Sequence, residues 1–316
     1  MTTTFKKEIF FLSRLLNPKI TPACRYNLRC LFRYFKNRYF GNIMAKKTPA
    51  YKYTPNDDFE LHMLSQRGNL WALINSIGSF LFHSRLCPKI VIHSDGSMDE
   101  KMIFALKSKF SNLEVITPDQ AEKLIEKLNI PEINKKYRKS KNIFLMRFVD
   151  IPYLSHGKKV MIMGDDVLFF KQPQEIIDFV NGKTPYDAIA SKCDGTMYLG
   201  VDDYYINKYK LIEKKADIVN ADLILFNKNS FNLDGIAEYL EHTLMDESYN
   251  LIEMAGFASI MAQGNLGFLP LDKYHIKGKV HQNSIMKHFT SPRRHEFYAY
   301  GIDLARKVMK KQGRGD

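Results

Sequence analysis

Two adjacent carboxylates, Asp165 and Asp166, interrupt an otherwise apolar stretch in the segment Lys158–Pro173, KKVMIMGDDVLFFKQP. Val160–Met163 reads as a buried strand, and Val167–Phe170 is apolar again. Acids placed between two such runs shift their pKa or destabilise the chain unless a partner balances their charge. A divalent cation is one such partner. Carboxylate oxygens suit Mg²⁺ or Mn²⁺, which can bridge in turn to the diphosphate of a nucleotide. Gly164–Asp166 is equally compatible with a solvated turn between strands.

The elements around this segment alternate. Phe59–Leu64 is a short strand, Leu70–Phe82 an apolar helix and Lys89–His93 (KIVIH) a buried strand. A helix follows over Asp99–Phe110, then a strand over Leu113–Thr117, with Pro118 and Asp119 opening a helix Gln120–Leu128. Such a βαβα order predicts an α/β fold with a mainly parallel sheet flanked by helices on both faces. Ligands of such sheets bind beyond the carboxyl ends of the strands, so a polar motif directly after an apolar strand is placed for chemistry.

Composition bounds the alternatives. The 316 residues carry 47 Lys and Arg against 34 Asp and Glu, a net charge of +13, with 45% hydrophobic residues and a mean hydropathy of −0.30. These values exclude disordered and fibrous classes. Cys24, Cys30, Cys87 and Cys193 contain no C-x-x-C pair, which argues against a disulfide framework or a cysteine zinc site and for a reducing, cytoplasmic setting.

Residues 1–52 hold twelve basic side chains and one acid, Glu8. The basic balance therefore belongs to an N-terminal appendage, which leaves nucleic acid an unfavoured partner for the domain over residues 53–316. From Cys24 to Phe40 the apolar residues Leu28, Leu31, Phe32, Phe35 and Tyr39 recur at helical spacing, with Arg25, Arg29 and Arg33 on another face. An amphipathic basic helix of this kind suits an anionic membrane surface, or caps the main domain with its apolar face; the two readings are compatible. Glu8 and Arg14 interrupt the early apolar residues, against a secretory signal. The 17 uncharged residues Gly68–Ser84 include Asn69, Asn75 and His83 and read as a buried helix, not a membrane span. The run Lys135–Lys141 reads as a solvated linker, and Lys307–Asp316 as a fraying helix end.

The segment MIMGDDVLFFKQP resembles the DxD-bearing segment of nucleotide-sugar-dependent glycosyltransferases of the GT-A fold, the family-8-like enzymes in particular. LMRFVDIPYL (Leu145–Leu154), VNADLILFN (Val219–Asn227), IEMAGFASIMAQ (Ile252–Gln263) and MKHFTSPRRHEFYAYGI (Met286–Ile302) are similar to further family segments, in the family's order over about residues 59–302. The resemblance implies a GT-A type domain that moves a sugar from a nucleotide-diphosphate sugar, a UDP-hexose, to a glycan or lipid-linked acceptor. It implies Mn²⁺ or Mg²⁺ held by Asp166 and His288, with Asp165 either standing in for a missing carboxylate or facing solvent. It assigns donor contacts to Arg147, Asn220 and Arg293 or its neighbour Arg294, and a base beside the acceptor hydroxyl to Asp222 or Glu253. Ser65, Gln66, Arg67, Asp95 and Gly96 lie in the loops where a base and ribose would rest.

The chain departs from the family in three places. Gly164 replaces the first acid of DxD, Asp222 replaces the glycine of N-A-G, and Met254 replaces a glutamine. A GT-A domain that kept the fold and lost catalysis, serving as a membrane-associated scaffold or regulatory subunit, would carry changes of this kind.

Overall fold

The computed structural model describes Ser13 and residues 28–140, 142–249, 251–290 and 293–312. Its central sheet has seven strands in the order β3-β2-β1-β4-β7-β6-β8. These are β1 (Asn56–Ser65), β2 (Pro88–Ser94), β3 (Leu113–Ile116), β4 (Lys159–Met163), β6 (Ala188–Lys192), β7 (Val219–Asn227) and β8 (Leu266–Phe268). Strands β3, β2, β1 and β4 run parallel, and so do β6 and β8; β7 is antiparallel to both neighbours. A second sheet joins β5 (Val167–Phe169), β10 (Met286–His288) and β9 (Tyr274–His275).

The expected α/β architecture is present, and alternation along each strand explains it. Leu61, Met63, Met161, Met163, Leu223 and Leu225 enter one core with the helix Leu70–Ser84, while Val160, Ile162, Ile224 and Phe226 enter a second with the helices Ile143–Leu154 and Ile252–Met261. Both faces are covered, so Val160–Met163 of β4 and Leu223–Phe226 of β7 read as unbroken apolar runs. The helix expected over Gln120–Leu128 instead spans Pro118–Ile125, because Thr117 and Gln120 form a capping box that starts it earlier.

Two expectations for charged segments are corrected. Most of Lys135–Lys141 is not a linker: Glu132–Arg138 is a helix, and Arg138 is buried against Asp150 at 2.5 Å and against Glu122. The N-terminal helix, described over Leu28–Tyr39, does cap the domain, but with a different face. Cys30, Tyr34 and Asn37 are buried, Asn37 donates to Tyr298 O at 2.8 Å and accepts from Trp71 Nε1 at 3.2 Å, and Lys36 pairs with Asp303 at 3.0 Å. Of the apolar stripe read from the sequence, Phe32 is 68% and Tyr39 54% exposed. Phe40 and Ile43 extend this exposed apolar surface. Residues 24–27 and 313–316, parts of the two terminal helix expectations, lie outside the described residues.

One polar chain crosses the second face of the sheet. His62 Nδ1 lies 3.0 Å from His93 Nε2, and His62 Nε2 lies 3.0 Å from Glu60 Oε2. Burial lowers both imidazole pKa values, so the rings are neutral, and protons on the two Nε2 atoms satisfy every contact. Burial alone would raise the Glu60 pKa, but His62 and the backbone N–H of His156 overcome it and hold the carboxyl at about 2. A depressed carboxylate contributes stability above its unfolded pKa, and that contribution is lost as pH falls through the folded value. The shift from 4.5 to about 2 corresponds to about 3 kcal/mol. Urea unfolding from pH 6 down to pH 2 should therefore show wild type losing more stability than Glu60→Gln; parallel curves would contradict this.

Candidate active site

The reversed direction of β7 brings its first residues beside the carboxyl end of β4. Gly164 N–H donates to Asp222 O at 2.9 Å, one step beyond the Met163–Leu223 pair. The same edge collects Ser65 at the end of β1, Asp95 just after β2, and His288 at the end of β10. Arg147 arrives on the helix Ile143–Leu154, and Glu253 in the first turn of Ile252–Met261. All of these except Glu253 line a cleft of about 430 Å³. Of the residues expected from sequence, Ser65, Gln66, Asp95, Arg147, Asp165, Asp166, Asn220, Asp222, His288 and Arg294 line it.

The two adjacent acids are buried and fully engaged. Asp165 Oδ2 accepts from Ser65 Oγ at 3.1 Å and from Asn69 Nδ2 at 2.5 Å, while its Oδ1 accepts from Arg294 at 2.9 Å. Asp165 therefore does not face solvent. Asp166 Oδ2 accepts two bonds from Arg294, at 2.8 and 3.2 Å, and its Oδ1 lies 3.3 Å from His288 Nε2. Burial raises the Asp165 pKa above the usual carboxylate range, with Arg294 opposing and Asp166 adding to the rise. Burial would raise Asp166 too, but the cations Arg294 and His288 prevail and hold it well below that range.

A second cluster adjoins the first. Arg147, 4% exposed, donates to Ala221 O at 2.8 Å and to Asp222 Oδ1 at 3.2 Å, and its Nε stands 2.6 Å from Glu253 Oε1. That last approach is a charge contact outside hydrogen-bond alignment. Asp222 Oδ2 lies 3.3 Å from His288 Nε2, so His288 is shared between Asp166 and Asp222. Burial lowers the His288 pKa, and these two carboxylates more than reverse the effect. Burial pushes Glu253 up to about 7 despite Arg147. Four carboxyl groups are thus gathered on two guanidinium groups and one imidazole.

Two expected donor contacts do not join the cleft. Arg67 is exposed and pairs with Asp99 at 3.1 Å, and Arg293 pairs with Glu296 at 3.7 Å. Of the two neighbouring arginines, Arg294 is the one brought onto the acids. Glu253 is 4% exposed behind Arg147 and does not line the cleft, so it supports the arginine instead of meeting an acceptor. Asn69 is a site residue that the sequence reading missed. An asparagine just before a helix signals a cap, yet its side chain makes no cap bond and turns to Asp165.

Among the described residues no group of three or more His, Cys, Asp or Glu side chains is arranged to hold a metal ion. The chemistry of the donors nevertheless fits a divalent cation. Asp166 Oδ1 turns away from Arg294 toward His288 Nε2, and carboxylate oxygen with imidazole nitrogen suits Mn²⁺ or Mg²⁺ when water and phosphate oxygens complete the sphere. Asn220 Nδ2 donates to His288 Nδ1 at 3.0 Å and fixes the ring from behind.

No protein-family model matches the sequence, and no curated protein matches it. Solved structures do match, and those below are glycosyltransferases. A galactosyltransferase, LgtC, in complex with donor and acceptor sugar analogues is 14% identical, with a TM-score of 0.49 over 80% of this chain and 96% of that one. Mouse xyloside xylosyltransferase 1 in its apo form is 11% identical, with a TM-score of 0.44 over 73% and 97%. The apo form of the glycosyltransferase GlyE of Streptococcus pneumoniae is 9% identical, with a TM-score of 0.48 over 81% and 64%.

Proposed function

We propose that this chain is a nucleotide-sugar-dependent glycosyltransferase of the GT-A type, which moves a hexose from a UDP-sugar to a hydroxyl of a glycan or lipid-linked acceptor. The observation that carries the reading is the meeting of Asp166, His288 and the Arg294 guanidinium in one cleft beyond the strand ends. Asp166 and His288 would hold Mn²⁺ or Mg²⁺. The bound cation supplies charge neutralisation where the leaving diphosphate gains negative charge.

The remaining work falls to the chain's own side chains. Arg294 fixes both adjacent acids and, with its side chain 29% exposed, also presents positive charge to a diphosphate. Arg147 adds to the positive potential while holding Asp222 in place. Asp165, locked by Ser65 and Asn69, orients Arg294. Ser65 and Asp95, in the loops after β1 and β2, lie where a ribose and base would rest, and Asn220 holds the His288 ring.

Residues 1–52 are proposed to hold the domain on an anionic bilayer at the cytoplasmic face. The support is the exposed apolar surface of Phe32, Phe40 and Ile43 on a strongly basic segment. Among the described residues no helix is long and apolar enough to cross a membrane.

Two measurements test these readings. Calorimetric titration of UDP into wild type should give Mn²⁺-dependent binding that Asp166→Ala abolishes. No binding by wild type would favour a silent scaffold, and binding indifferent to both metal and mutation would refute the site. In flotation with phosphatidylglycerol vesicles, the triple variant Phe32→Ser, Phe40→Ser, Ile43→Ser should lose most of the wild-type association. Equal flotation would retire the membrane reading. Point variants are preferable to truncation, because removing the segment would also strip Tyr34 and Asn37 from the core.

A further inference from the structure

Gly164 and Asp222 are cross-strand neighbours. The antiparallel register of β4 with β7 ends at Met163–Leu223, and the Gly164 N–H bond to Asp222 O continues it by one residue. Side chains opposite one another on such a pair occupy adjoining space. A Cβ placed on Gly164 would stand 3.0 Å from Asp166 Oδ1, 3.3 Å from Asp222 Oδ1 and 3.4 Å from Asp222 Cβ. Gly164 is not among the glycines with positive φ, so its backbone does not demand glycine. What a side chain there would meet is the Asp222 carboxylate and the oxygen of Asp166 that faces His288.

We propose that Asp222 supplies, from β7, the carboxylate that a residue at position 164 would otherwise supply from β4, and that it ligates the divalent cation together with Asp166 and His288. The proposal rests on the nucleotide-sugar reading and changes what Gly164 means in it. A missing acid after β4 is not a lost site, because the acid reaches the same place from the opposite strand. Asp222 Oδ2 and Asp166 Oδ1 each lie 3.3 Å from His288 Nε2, so both acids approach one point at the imidazole nitrogen. Arg147 holds the other Asp222 oxygen, as Arg294 holds the other Asp166 oxygen, so each acid keeps one oxygen for that point. Asp165 is excluded from it, with both oxygens bound by Ser65, Asn69 and Arg294.

The reciprocal exchange tests the proposal. Mn²⁺ binding is read by electron paramagnetic resonance of the free ion, for the full chain alone and with UDP, independently of any transfer activity. Asp222→Gly should bind Mn²⁺ about tenfold or more weakly than wild type, and Asp222→Asn, which keeps the shape, should do the same. The double variant Gly164→Asp, Asp222→Gly should recover affinity, since removing the Asp222 side chain clears two of the three near contacts of a Cβ at position 164 and leaves Asp166 Oδ1 beside the new carboxylate. Wild-type affinity in Asp222→Asn would overturn the proposal while leaving the glycosyltransferase reading intact, and so would a folded double variant as weak as Asp222→Gly. Absence of Mn²⁺ binding by wild type in the presence of bound UDP would overturn the metal role of all three residues; absence of UDP binding would overturn the donor site itself.

Discussion

Excess negative charge at the end of the sheet is the constraint around which the cleft is organised. Asp165, Asp166, Asp222 and Glu253 are gathered within reach of one another, and a buried carboxylate is tolerated only where a cation or several proton donors answer it. Arg294 and Arg147 answer one pair each. Burial pushes the Glu253 pKa up to about 7 and raises that of Asp165, and the neighbouring acids Asp222 and Asp166 add to each rise. His288 stands between Asp166 and Asp222, 3.3 Å from an oxygen of each.

The fold produces that crowding through one topological feature. Parallel strands β1, β2 and β4 end at the same edge, and there the antiparallel β7 begins. A reversed strand lets residues at its start stand beside residues at its neighbour's end, and so a carboxylate can be delivered to one point from either side. The short sheet of β5, β9 and β10 then brings in His288, and Arg294 follows it closely in the chain. The N-terminal helix packs against Tyr298 and Asp303, near this C-terminal segment, so the exposed aromatic surface is tied to the same part of the chain as Arg294.

Much of this was legible in the sequence, for physical reasons that differ by residue. KIVIH and VMIM could be read as buried strands because both faces of the sheet are covered, and the acids of Gly164–Asp166 stood out because charge directly after such a strand needs a partner. Arg294 could not be told from Arg293, since adjacent residues on a turn point in different directions and only the folded backbone decides which meets the acids. Asn69 carried no signal beyond a helix cap. The N-terminal helix misled in a more instructive way. Hydropathy marked Leu28, Leu31, Phe32, Phe35 and Tyr39 as one apolar face, suited to a membrane or to the domain; Leu31 packs on the core, but Asn37 is also inward because hydrogen bonds to Trp71 and Tyr298 satisfy its amide, and Phe32, Phe35 and Tyr39 are left outward.

The partnership of β4 and β7 also bears on how an apparently degraded motif is read. Gly164 looks like a loss when its segment is considered alone, and becomes half of an exchange once its cross-strand neighbour is known. Diffraction from crystals grown with UDP and Mn²⁺, recorded at the manganese absorption edge, tests this most directly. An anomalous peak in bonding contact with Asp166, Asp222 and His288, beside the diphosphate, is the expected result. Nucleotide bound in the cleft with no manganese between those three side chains would contradict it.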